Sequence, residues 1–360
     1  MNRQKVVIAE NLGQSLKEAM EACERDKVFI LMDETTERCC LPVVEAAVGL
    51  QDAKRIIIGA TDTHKNLESL AHVWEELGTG GGTRHSLLIN IGGGMVTDLG
   101  GFAASTFKRG INYINIPTTL LSMVDASVGG KTGINFRGLK NEIGVFNNAA
   151  TVILDTQFLK TLDAENICSG YAEMLKHGLI SSRSQSSPLM KGLEGGISTL
   201  LTFDLDHIDY PLLGQMVGES VAVKEKIVEE DPQEHGIRKA LNLGHTVGHA
   251  FESWALTRKP VLHGYAVAWG LICELYLSVV KTGFPTETMR HVVRFIKENY
   301  GTLPITCDDY PELYELMTHD KKNADGIINF TLLGGIGDIR INQTATQEEI
   351  YETLDFFREG

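Results

Sequence analysis

Two patterns of apolar positions divide the sequence. In roughly the first 155 residues, short apolar runs rich in β-branched residues alternate with amphipathic stretches such as Lys65–Leu77. This alternation is typical of a parallel sheet with helices on its faces. The strands that it predicts are Val28–Met32, Arg55–Ile58, Ser86–Ile91, Tyr113–Ile116 and Val152–Leu154.

After Thr161 the apolar period becomes that of long helices. The predicted helices are Ala164–Ile180, Gly192–Leu201, Leu212–Glu230, Leu241–Trp254, Ala266–Lys281 and Thr288–Tyr300. A β-hairpin is predicted within Gly326–Ile341, and a last helix over Thr346–Arg358. We therefore predict an α/β domain over residues 1–160 and a mainly α-helical domain over residues 161–360.

Length and composition limit the class of protein. A chain of 360 residues with 43% hydrophobic residues is long enough for two domains with a substantial core. Met1–Gln14 lacks the apolar segment of a targeting signal, and no apolar run approaches the roughly 18 residues that span a bilayer. The six cysteines include no Cys-x-x-Cys pair, which favours reduced thiols. These features predict a cytoplasmic protein without a membrane partner.

The charge of the chain argues against polyanionic partners. A net charge of -14 disfavours binding to nucleic acid or to an anionic membrane. The segment from Asp98 to Glu142 differs, because its five basic residues outnumber its three acidic ones. Such a local reversal can concentrate a small anion, although ordinary surface lysines would give the same count.

Histidines are concentrated between Arg238 and His263. His245 and His249 are four residues apart within an apolar, helix-like run, so their imidazoles would lie on one helical face. With His263, these 26 residues hold three of the 11 histidines of the chain. Imidazole is the commonest metal-binding side chain. A single His-x-x-x-His also arises by coincidence, and the Glu that a zinc peptidase carries after the first His is absent, so the spacing alone leaves both interpretations open.

A glycine-rich turn follows one predicted strand. Leu87–Ile91 runs directly into Gly92-Gly93-Gly94, and the helix-like stretch Leu99–Phe107 follows. Glycines at such a junction let backbone amides approach a phosphate at the N-terminus of the helix. The dinucleotide pattern Gly-x-Gly-x-x-Gly is incomplete, so a purely structural turn explains the glycines equally well.

Long motifs in four segments point to a known family. They are Gly92–Phe102, Pro117–Thr132, Leu139-Lys140-Asn141, and Asn242–Ala250 with His263-Gly264. In this order, and over nearly the whole chain, they resemble the 3-dehydroquinate synthase family of sugar-phosphate cyclases. The resemblance implies a Rossmann-like N-terminal domain, a mainly α-helical C-terminal domain and an active site in the cleft between them.

The resemblance also implies the reaction. Members of the family convert 3-deoxy-D-arabino-heptulosonate 7-phosphate to 3-dehydroquinate and phosphate, in the shikimate pathway of aromatic amino acid biosynthesis. NAD oxidises a hydroxyl, phosphate is eliminated, the ketone is reduced again, and ring opening with aldol closure forms the carbocycle. The implied cofactors are NAD and one divalent metal, zinc or cobalt. The implied substrate is a small anionic sugar phosphate.

Residue roles carry over by matching position. The implied metal ligands are Glu173, His245 and His263, and the implied catalytic groups are His249, Glu234, Lys176 and Asp125. Groups suited to the anions and hydroxyls of the substrate are Arg109, Asp125, Lys131, Asn141, Lys224, Arg238, Asn242, His249 and Lys321. Lys322 adjoins Lys321, and the sequence does not distinguish them. Because the family supplies the residue matching Arg109 from the neighbouring subunit, a homodimer is implied.

The implied NAD-binding residues lie in the first domain. They are Asp33, Glu34, Thr35, Asp62, Lys65, Gly92, Gly93, Gly94, Asp98, Thr118, Thr119, Lys140 and Thr161. An acidic residue on the ribose favours NAD over NADP. The chain departs from the family at Asp62, where Glu is usual, and at Tyr265, where Glu commonly follows His263-Gly264. Neither change removes a metal ligand.

Three alternatives to this function are considered. Another sugar-phosphate cyclase would use the same scaffold on a different sugar phosphate, but Lys224, Arg238 and Asn242 favour a carboxylate in the substrate. A metal-dependent polyol dehydrogenase of similar build would release NADH, but the cations suited to a phosphate, Lys131 and Lys140, argue against it. A non-catalytic descendant of the enzyme would have no use for the whole polar set.

Overall fold

The computed structural model describes residues 4–181, 197–319 and 327–360. The chain divides into two compact units. The first unit comprises Met1–Asp163 and Tyr210–Val221, and the second comprises Ala164–Asp209 and Ala222–Gly360. The division after Asp163 lies close to the predicted boundary at residue 160. It differs in that half of one long helix, Tyr210–Glu230, belongs to the first unit.

The first unit contains a parallel sheet. Its strands and those of a separate antiparallel hairpin are β1 Lys5–Ile8, β2 Val28–Asp33, β3 Lys54–Ile58, β4 Leu87–Gly92, β5 Asn112–Pro117, β6 Lys131–Phe136, β7 Leu139–Phe146 and β8 Thr151–Leu154. In the described part of this unit, the parallel sheet has the order β1-β8-β5-β4-β2-β3. Every residue of β4 is buried, as expected for a strand covered on both faces. The predicted α/β fold is confirmed.

The described helices of the first unit are α1 Leu12–Glu21, α2 Glu34–Cys39, α3 Leu41–Ala47, α4 Leu67–Thr79 and α5 Gly94–Thr106. Three of these five, α1, α2 and α4, begin at polar residues that cap them. The Asn11 and Asn66 side chains accept backbone N–H groups at the starts of α1 and α4. Shorter 3₁₀ segments are Asp62–His64, Phe107–Arg109 and Thr156–Thr161, and Ser122–Ala126 forms a π-helical turn.

The order of the strands creates a switch point. β3 pairs with one edge of β2, and β4 pairs with the other edge. The chain therefore changes direction across the sheet between β3 and β4. In open parallel sheets, the carboxyl ends of strands at such a point leave a crevice in which nucleotides bind. Here those ends are Asp33 and Gly92.

The second unit is mainly helical. Its elements are α6 Ala164–Ile180, α7 Ser198–Thr202, the second half of α8 Tyr210–Glu230, α9 His245–Leu256, α10 His263–Thr282, α11 Thr286–Tyr300, α12 Tyr310–Thr318, β9 Asn329–Gly335, β10 Asp338–Thr344 and α13 Gln347–Glu359. α10 packs against α6, α9, α11, α13 and β9. The predicted hairpin forms between β9 and β10, although Gly326 lies outside the described residues, as do residues 192–196 of one predicted helix.

The helix predicted over Leu241–Trp254 begins later than expected. A 3₁₀ segment, Ile237–Asn242, precedes it, and α9 starts only at His245. The reason is Gly244, whose φ of 78° lies in the left-handed region and interrupts the helix. His245 is consequently the first residue of α9.

From the sequence we expected no apolar run long enough to span a bilayer, and α10 shows that this expectation was wrong. By length and composition this helix could cross a membrane. However, most of it is buried within the structure, and Glu274 lies inside the helix. Packing within the second unit therefore accounts for its apolar composition.

Close approach of backbones fixes where α10 begins. A Cβ atom on Gly264 would lie 1.8 Å from the Ser169 carbonyl oxygen of α6. The Gly264 N–H also donates to the Ser169 hydroxyl at 3.1 Å. Only glycine allows this contact, which holds the first turn of α10 against α6.

Gly264→Ala is expected to destabilise the protein by about 3 kcal/mol or more, because overpacking at a backbone contact forces the two helices apart. Gly78→Ala is the matched control. Gly78 lies in α4 with open space around its Cβ position. It should change stability by less than about 1 kcal/mol, in the stabilising direction. Urea unfolding of both variants measures the difference, and equal stability of the two would contradict the packing described.

Candidate functional site

Three helices of the second unit bring a carboxylate and two imidazoles together. Glu173 lies in α6, while His245 and His263 are the first residues of α9 and α10. The His245 Nε2 atom is 3.4 Å from Glu173 Oε1, and His263 Nε2 is 3.6 Å from the same oxygen. One potential ligand atom from each residue lies within 4.8 Å of the other two.

Glu173 is held as an anion in a fully buried position. Its side chain has 0% exposure, and Lys176, one helical turn further along α6, forms an ion pair with Oε2 at 1% exposure. Burial alone would raise the pKa of Glu173, but Lys176 and His245 outweigh it and hold this pKa well below its usual range. Exposed i,i+3 ion pairs contribute little to stability, but the Lys176–Glu173 pair is buried and does not belong to that class.

Both imidazoles are oriented through their second nitrogen. His245 Nδ1 lies 3.0 Å from the Leu243 carbonyl oxygen, and His263 Nδ1 lies 3.1 Å from Glu252 Oε2. Each ring thus turns Nε2 towards Glu173. Burial lowers the pKa of His263, but the carboxylates of Glu252 and Glu173 outweigh this effect and raise it to about 10. Glu252 was not predicted from the sequence.

This group fits a divalent metal of the zinc type. Neither oxygen of Glu173 has a hydrogen-bond partner of acceptable geometry among the described residues. Ligand atoms about 2.0–2.1 Å from a tetrahedral metal are about 3.3 Å apart, close to the separations found here. Two imidazoles and one carboxylate also leave coordination positions for other oxygens. The carboxylate–histidine contact of Glu252 is typical of the surroundings of such metals.

His249 lies beside this group. It follows His245 by one turn of α9, and their ring centroids are 5.3 Å apart. The centroids of His249 and His263 are 5.9 Å apart. His249 is half-buried, whereas His245 is buried. A chelating pair at His245 and His249 is therefore less well supported than the group formed with Glu173 and His263.

A tight loop before α9 carries further predicted residues. Asp231 accepts backbone N–H groups of His235, Gly236 and Arg238 at 3.0, 2.6 and 3.1 Å. These hydrogen bonds close the loop, in which Glu234 has a positive φ of 63°. Glu234 Oε1 accepts a hydrogen bond from Asn242 Nδ2 at 3.0 Å.

Two cations of this unit are buried. Lys224 and Arg238 have exposures of 6% and 2%. The Arg238 Nη1 group donates to the Pro232 carbonyl oxygen at 2.6 Å. Lys321 and Lys322 lie outside the described residues.

In the first unit, a separate network joins five of the predicted residues. Lys65 is 5% exposed, and its Nζ group contacts Asp98 Oδ2 and Asn141 Oδ1. Asn135 Nδ2 donates to Asp62 Oδ2 at 3.1 Å, and Lys140 Nζ lies 3.9 Å from the same oxygen. Asn135, which the sequence analysis did not single out, also accepts the Asn141 N–H at 3.0 Å.

The carboxyl ends of the strands carry the remaining predicted NAD residues. Asp33 Oδ1 accepts the N–H groups of Thr35 and Thr36, at 2.8 and 2.9 Å, and so caps α2. Oδ1 of Asp33 is therefore already engaged in capping the helix. Gly93 is the N-cap of α5 and provides no capping side chain. A Cβ atom there would lie 3.1 Å from Thr119 Cγ2, so the turn is closely packed.

Other predicted residues have varied surroundings. Thr118 is buried, while Thr119 forms a hydrogen bond to Ser122 Oγ at 2.9 Å. Arg109 is exposed in a turn with a positive φ of 72°, and Asp125 lies half-buried in the π-helical turn. The remaining predicted residues, which are exposed, are Glu34, Lys131 and Thr161.

Comparison with known proteins identifies similar sequences and folds. The family models for the N-terminal and C-terminal parts of 3-dehydroquinate synthase match residues 55–169 and 170–323. The chain is 56% identical to the 3-dehydroquinate synthase of Parabacteroides distasonis, over 100% of this chain and 99% of that relative.

Two solved structures are similar over almost their whole length. The 2-epi-5-epi-valiolone synthase ValA of Streptomyces hygroscopicus, with NAD⁺ and Zn²⁺ bound, has a TM-score of 0.81 and 27% identity, covering 99% of this chain and 97% of that one. A 2-deoxy-scyllo-inosose synthase complexed with carbaglucose-6-phosphate, NAD⁺ and Co²⁺ has a TM-score of 0.82 and 21% identity, covering 99% and 96%. At 21% identity, the similarity to the 2-deoxy-scyllo-inosose synthase shows only that the two proteins share a fold.

Lys65→Met is expected to destabilise the protein by on the order of 3 kcal/mol, because Asp98 loses a buried cation. Lys54→Met is the matched control, since Lys54 pairs with Glu76 at 37% exposure and should cost less than about 1 kcal/mol. Chemical denaturation of the two variants tests the network. An equally small loss in both would show that the Lys65 contacts contribute no more than a surface ion pair.

His263→Ala is expected to abolish stoichiometric metal binding, since one of three ligands is lost, whereas His249→Ala should retain it. Metal content after dialysis against zinc, measured by elemental analysis, distinguishes the two variants. Retention of zinc by His263→Ala, or its loss from His249→Ala, would contradict the ligand set described.

Proposed function

The chain belongs to the 3-dehydroquinate synthase family, and we propose that it converts 3-deoxy-D-arabino-heptulosonate 7-phosphate to 3-dehydroquinate and phosphate. The observation that carries the proposal is the group formed by Glu173, His245 and His263. Glu173 and His263 are 90 positions apart in the sequence, yet one potential ligand atom of each of the three residues lies within 4.8 Å of the other two.

The enzyme uses NAD and one divalent metal, zinc or cobalt. When bound, NAD would accept a hydride from the carbon that bears a substrate hydroxyl, as that hydroxyl loses its proton, and would return the hydride within the same turnover, while the metal would lower the pKa of the hydroxyl. Glu173, His245 and His263 would hold the metal. Lys176 stabilises Glu173 in the ionised form that a metal requires.

NAD would be bound by residues of the first unit. The turn at Gly92–Gly94 offers uncapped backbone N–H groups at the start of α5, at the switch point of the parallel sheet. Lys65, Asp98 and Lys140 belong to the network that would support the dinucleotide. The second oxygen of Asp33 is the candidate partner for a ribose, because the first caps α2.

Substrate anions would be bound by the cations of the motifs. In the second unit these include Lys224 and Arg238, and burial strengthens the attraction of such cations for phosphate or carboxylate. Asn242 and Glu234 are already joined by a hydrogen bond, so each orients the other. In the first unit, Lys131, Asn141, Asp125 and Arg109 are assigned to the same substrate by their match to the family.

His249 would move a proton near the phosphate. It lies one turn from a metal ligand, and it is half-buried, so solvent can reach it. Imidazole titrates near neutrality and suits proton transfer at the leaving phosphate. Glu234 is assigned as a further proton acceptor, and its hydrogen bond to Asn242 keeps the carboxylate in one orientation.

The wider setting follows from the family. The reaction belongs to the shikimate pathway, whose enzymes act on small anions in the cytoplasm. The exposed turn that carries Arg109 suits a residue supplied to a second subunit, and a homodimer is proposed on this basis. We propose no nucleic-acid partner, because a net charge of -14 disfavours binding to nucleic acid.

Purified protein incubated with the heptulosonate phosphate, NAD and zinc is expected to release one phosphate per substrate, with NAD required but not consumed. Phosphate and NADH measured in the same reaction test the proposal. Accumulation of NADH in proportion to substrate would instead indicate a polyol dehydrogenase. Phosphate release only from a different sugar phosphate would indicate another cyclase.

His249→Ala is expected to lower kcat for phosphate release by about 10²–10⁴-fold, the usual contribution of a general acid–base group. The matched control is His207→Ala, since His207 is 87% exposed and its Nδ1 contacts only Asp204, at 3.1 Å, among the contacts found for its side chain in the described residues. Steady-state kinetics of the two variants, at saturating metal, measure the effect. A kcat for His249→Ala within threefold of the control would remove His249 from the proposed mechanism.

A further inference from the structure

A second buried carboxylate, Glu274 of α10, contacts the N-terminus of α9. Its side chain is 0% exposed. Oε2 accepts the Gly244 N–H at 2.7 Å, and Oε1 accepts the N–H groups of Thr246 and Val247 at 2.9 and 3.2 Å. One side chain thus accepts three backbone hydrogen bonds around His245.

α9 cannot cap itself. Its N-cap residue is Gly244, which has no side chain to accept the N–H groups of the first turn. A Cβ atom on Gly244 would lie 2.9 Å from the Leu271 side chain and 3.0 Å from the Val267 carbonyl oxygen, and the φ of 78° disfavours other residues. The usual capping residues, Ser, Thr, Asp and Asn, are therefore excluded at this position.

A glycine in α10 lets α9 and α10 approach closely, so that Glu274 can accept the N–H groups that an N-cap side chain of α9 would otherwise accept. A Cβ atom on Gly270 would lie 2.0 Å from the Gly244 carbonyl oxygen and 2.7 Å from the Gly248 nitrogen. Glu274 follows Gly270 by one helical turn and so lies on the same face of α10. The negative charge also suits the positive end of the α9 dipole.

We propose that Glu274 is a positioning residue for the metal site. By fixing the first turn of α9, it holds His245 in the place where Nε2 meets Glu173, and it sets the direction in which His249 projects. Its own side chain contacts backbone groups rather than a ligand. This role for Glu274 concerns the binding of the metal, and it rests on the proposed function only for what the bound metal does in the reaction.

The chemistry of the contact predicts which substitutions fail. Two oxygens, each an acceptor, match three N–H donors without conflict. Glu274→Gln replaces one oxygen with an NH₂ group, which would oppose a backbone N–H in a buried site. Glu274→Asp keeps both oxygens but withdraws them by one methylene, so it should act in the same direction with a smaller effect.

The test compares zinc affinity with stability. Zinc dissociation constants are measured by competition with a coloured chelator, and apo-protein stability by urea unfolding, for Glu274→Gln, Glu274→Asp and Ser278→Ala. Ser278 is the matched control: it is 0% exposed and lies one turn beyond Glu274, and its hydroxyl accepts the Leu333 N–H at 3.1 Å and donates to the Glu274 carbonyl oxygen at 2.7 Å. Its loss should destabilise the protein and leave zinc affinity unchanged.

The expected result is a 10–100-fold weaker zinc affinity for Glu274→Gln, the range found when groups that orient metal ligands are removed. A smaller loss is expected for Glu274→Asp, and less than a twofold change for Ser278→Ala. The proposal is overturned if Glu274→Gln binds zinc as tightly as the wild type, or if Ser278→Ala loses as much affinity.

If Glu274→Gln does not fold, Glu274→Asp decides the question. Weaker zinc binding than in Ser278→Ala would support the proposal, and equal binding would overturn it. No substrate is present in these measurements. Failure of the wild type to release phosphate would therefore refute the proposed reaction without affecting this comparison.

Discussion

The second unit is arranged around one fully buried carboxylate. An ionised Glu173 with 0% exposure would be very costly without compensation, because burial removes its hydration. The compensation comes from Lys176 on the same helix and from His245 and His263 on two others. α6, α9 and α10 can supply these groups only if their backbones meet closely. Gly244, Gly264 and Gly270 stand at those contacts, and a Cβ atom on any of them would collide with a neighbouring helix.

Other carboxylates in this unit accept hydrogen bonds from backbone and imidazole N–H groups and so fix the positions of these groups. Glu252 orients His263, Asp231 closes the loop that carries Glu234, and Glu274 contacts the first turn of α9. Each satisfies donors that local structure leaves unpaired. A site held in this way is organised before a ligand arrives, which reduces the reorganisation needed during reaction. In the first unit, the Lys65, Asp98 and Asn141 network acts similarly on the hairpin and α5.

The sequence predicted the repeating elements better than their ends. The bounds of α6 were predicted correctly because apolar residues recur at helical spacing along it, and its last fourteen positions, polar ones included, are buried. α9 was predicted to start too early, since apolar periodicity does not reveal the left-handed conformation of Gly244. β7 was missed because all eight of its residues are exposed and show no alternation. β1 was missed although it is as long as β8, which was predicted; its four residues are exposed or half-buried, whereas all four residues of β8 are buried.

Motifs located the metal-type group, but not the residues that support it. Glu173, His245 and His263 were named together only through resemblance to a family, whereas spacing alone suggested His245 with His249 and did not distinguish a metal site from coincidence. Glu252 and Glu274 look like ordinary charged residues in the sequence. A signal did exist for Glu274, since a single carboxylate within the apolar run Leu271–Leu277 is unusual on a helix with no polar face.

The central claim is that Glu173, His245 and His263 bind one metal while His249 does not. X-ray absorption spectroscopy of the zinc-loaded protein tests it most directly, because the number of coordinated imidazoles can be read from multiple scattering. The account predicts two imidazole nitrogens and a carboxylate oxygen at about 2.0–2.2 Å, with no sulfur at about 2.3 Å. Three coordinated imidazoles, or any sulfur ligand, would contradict it.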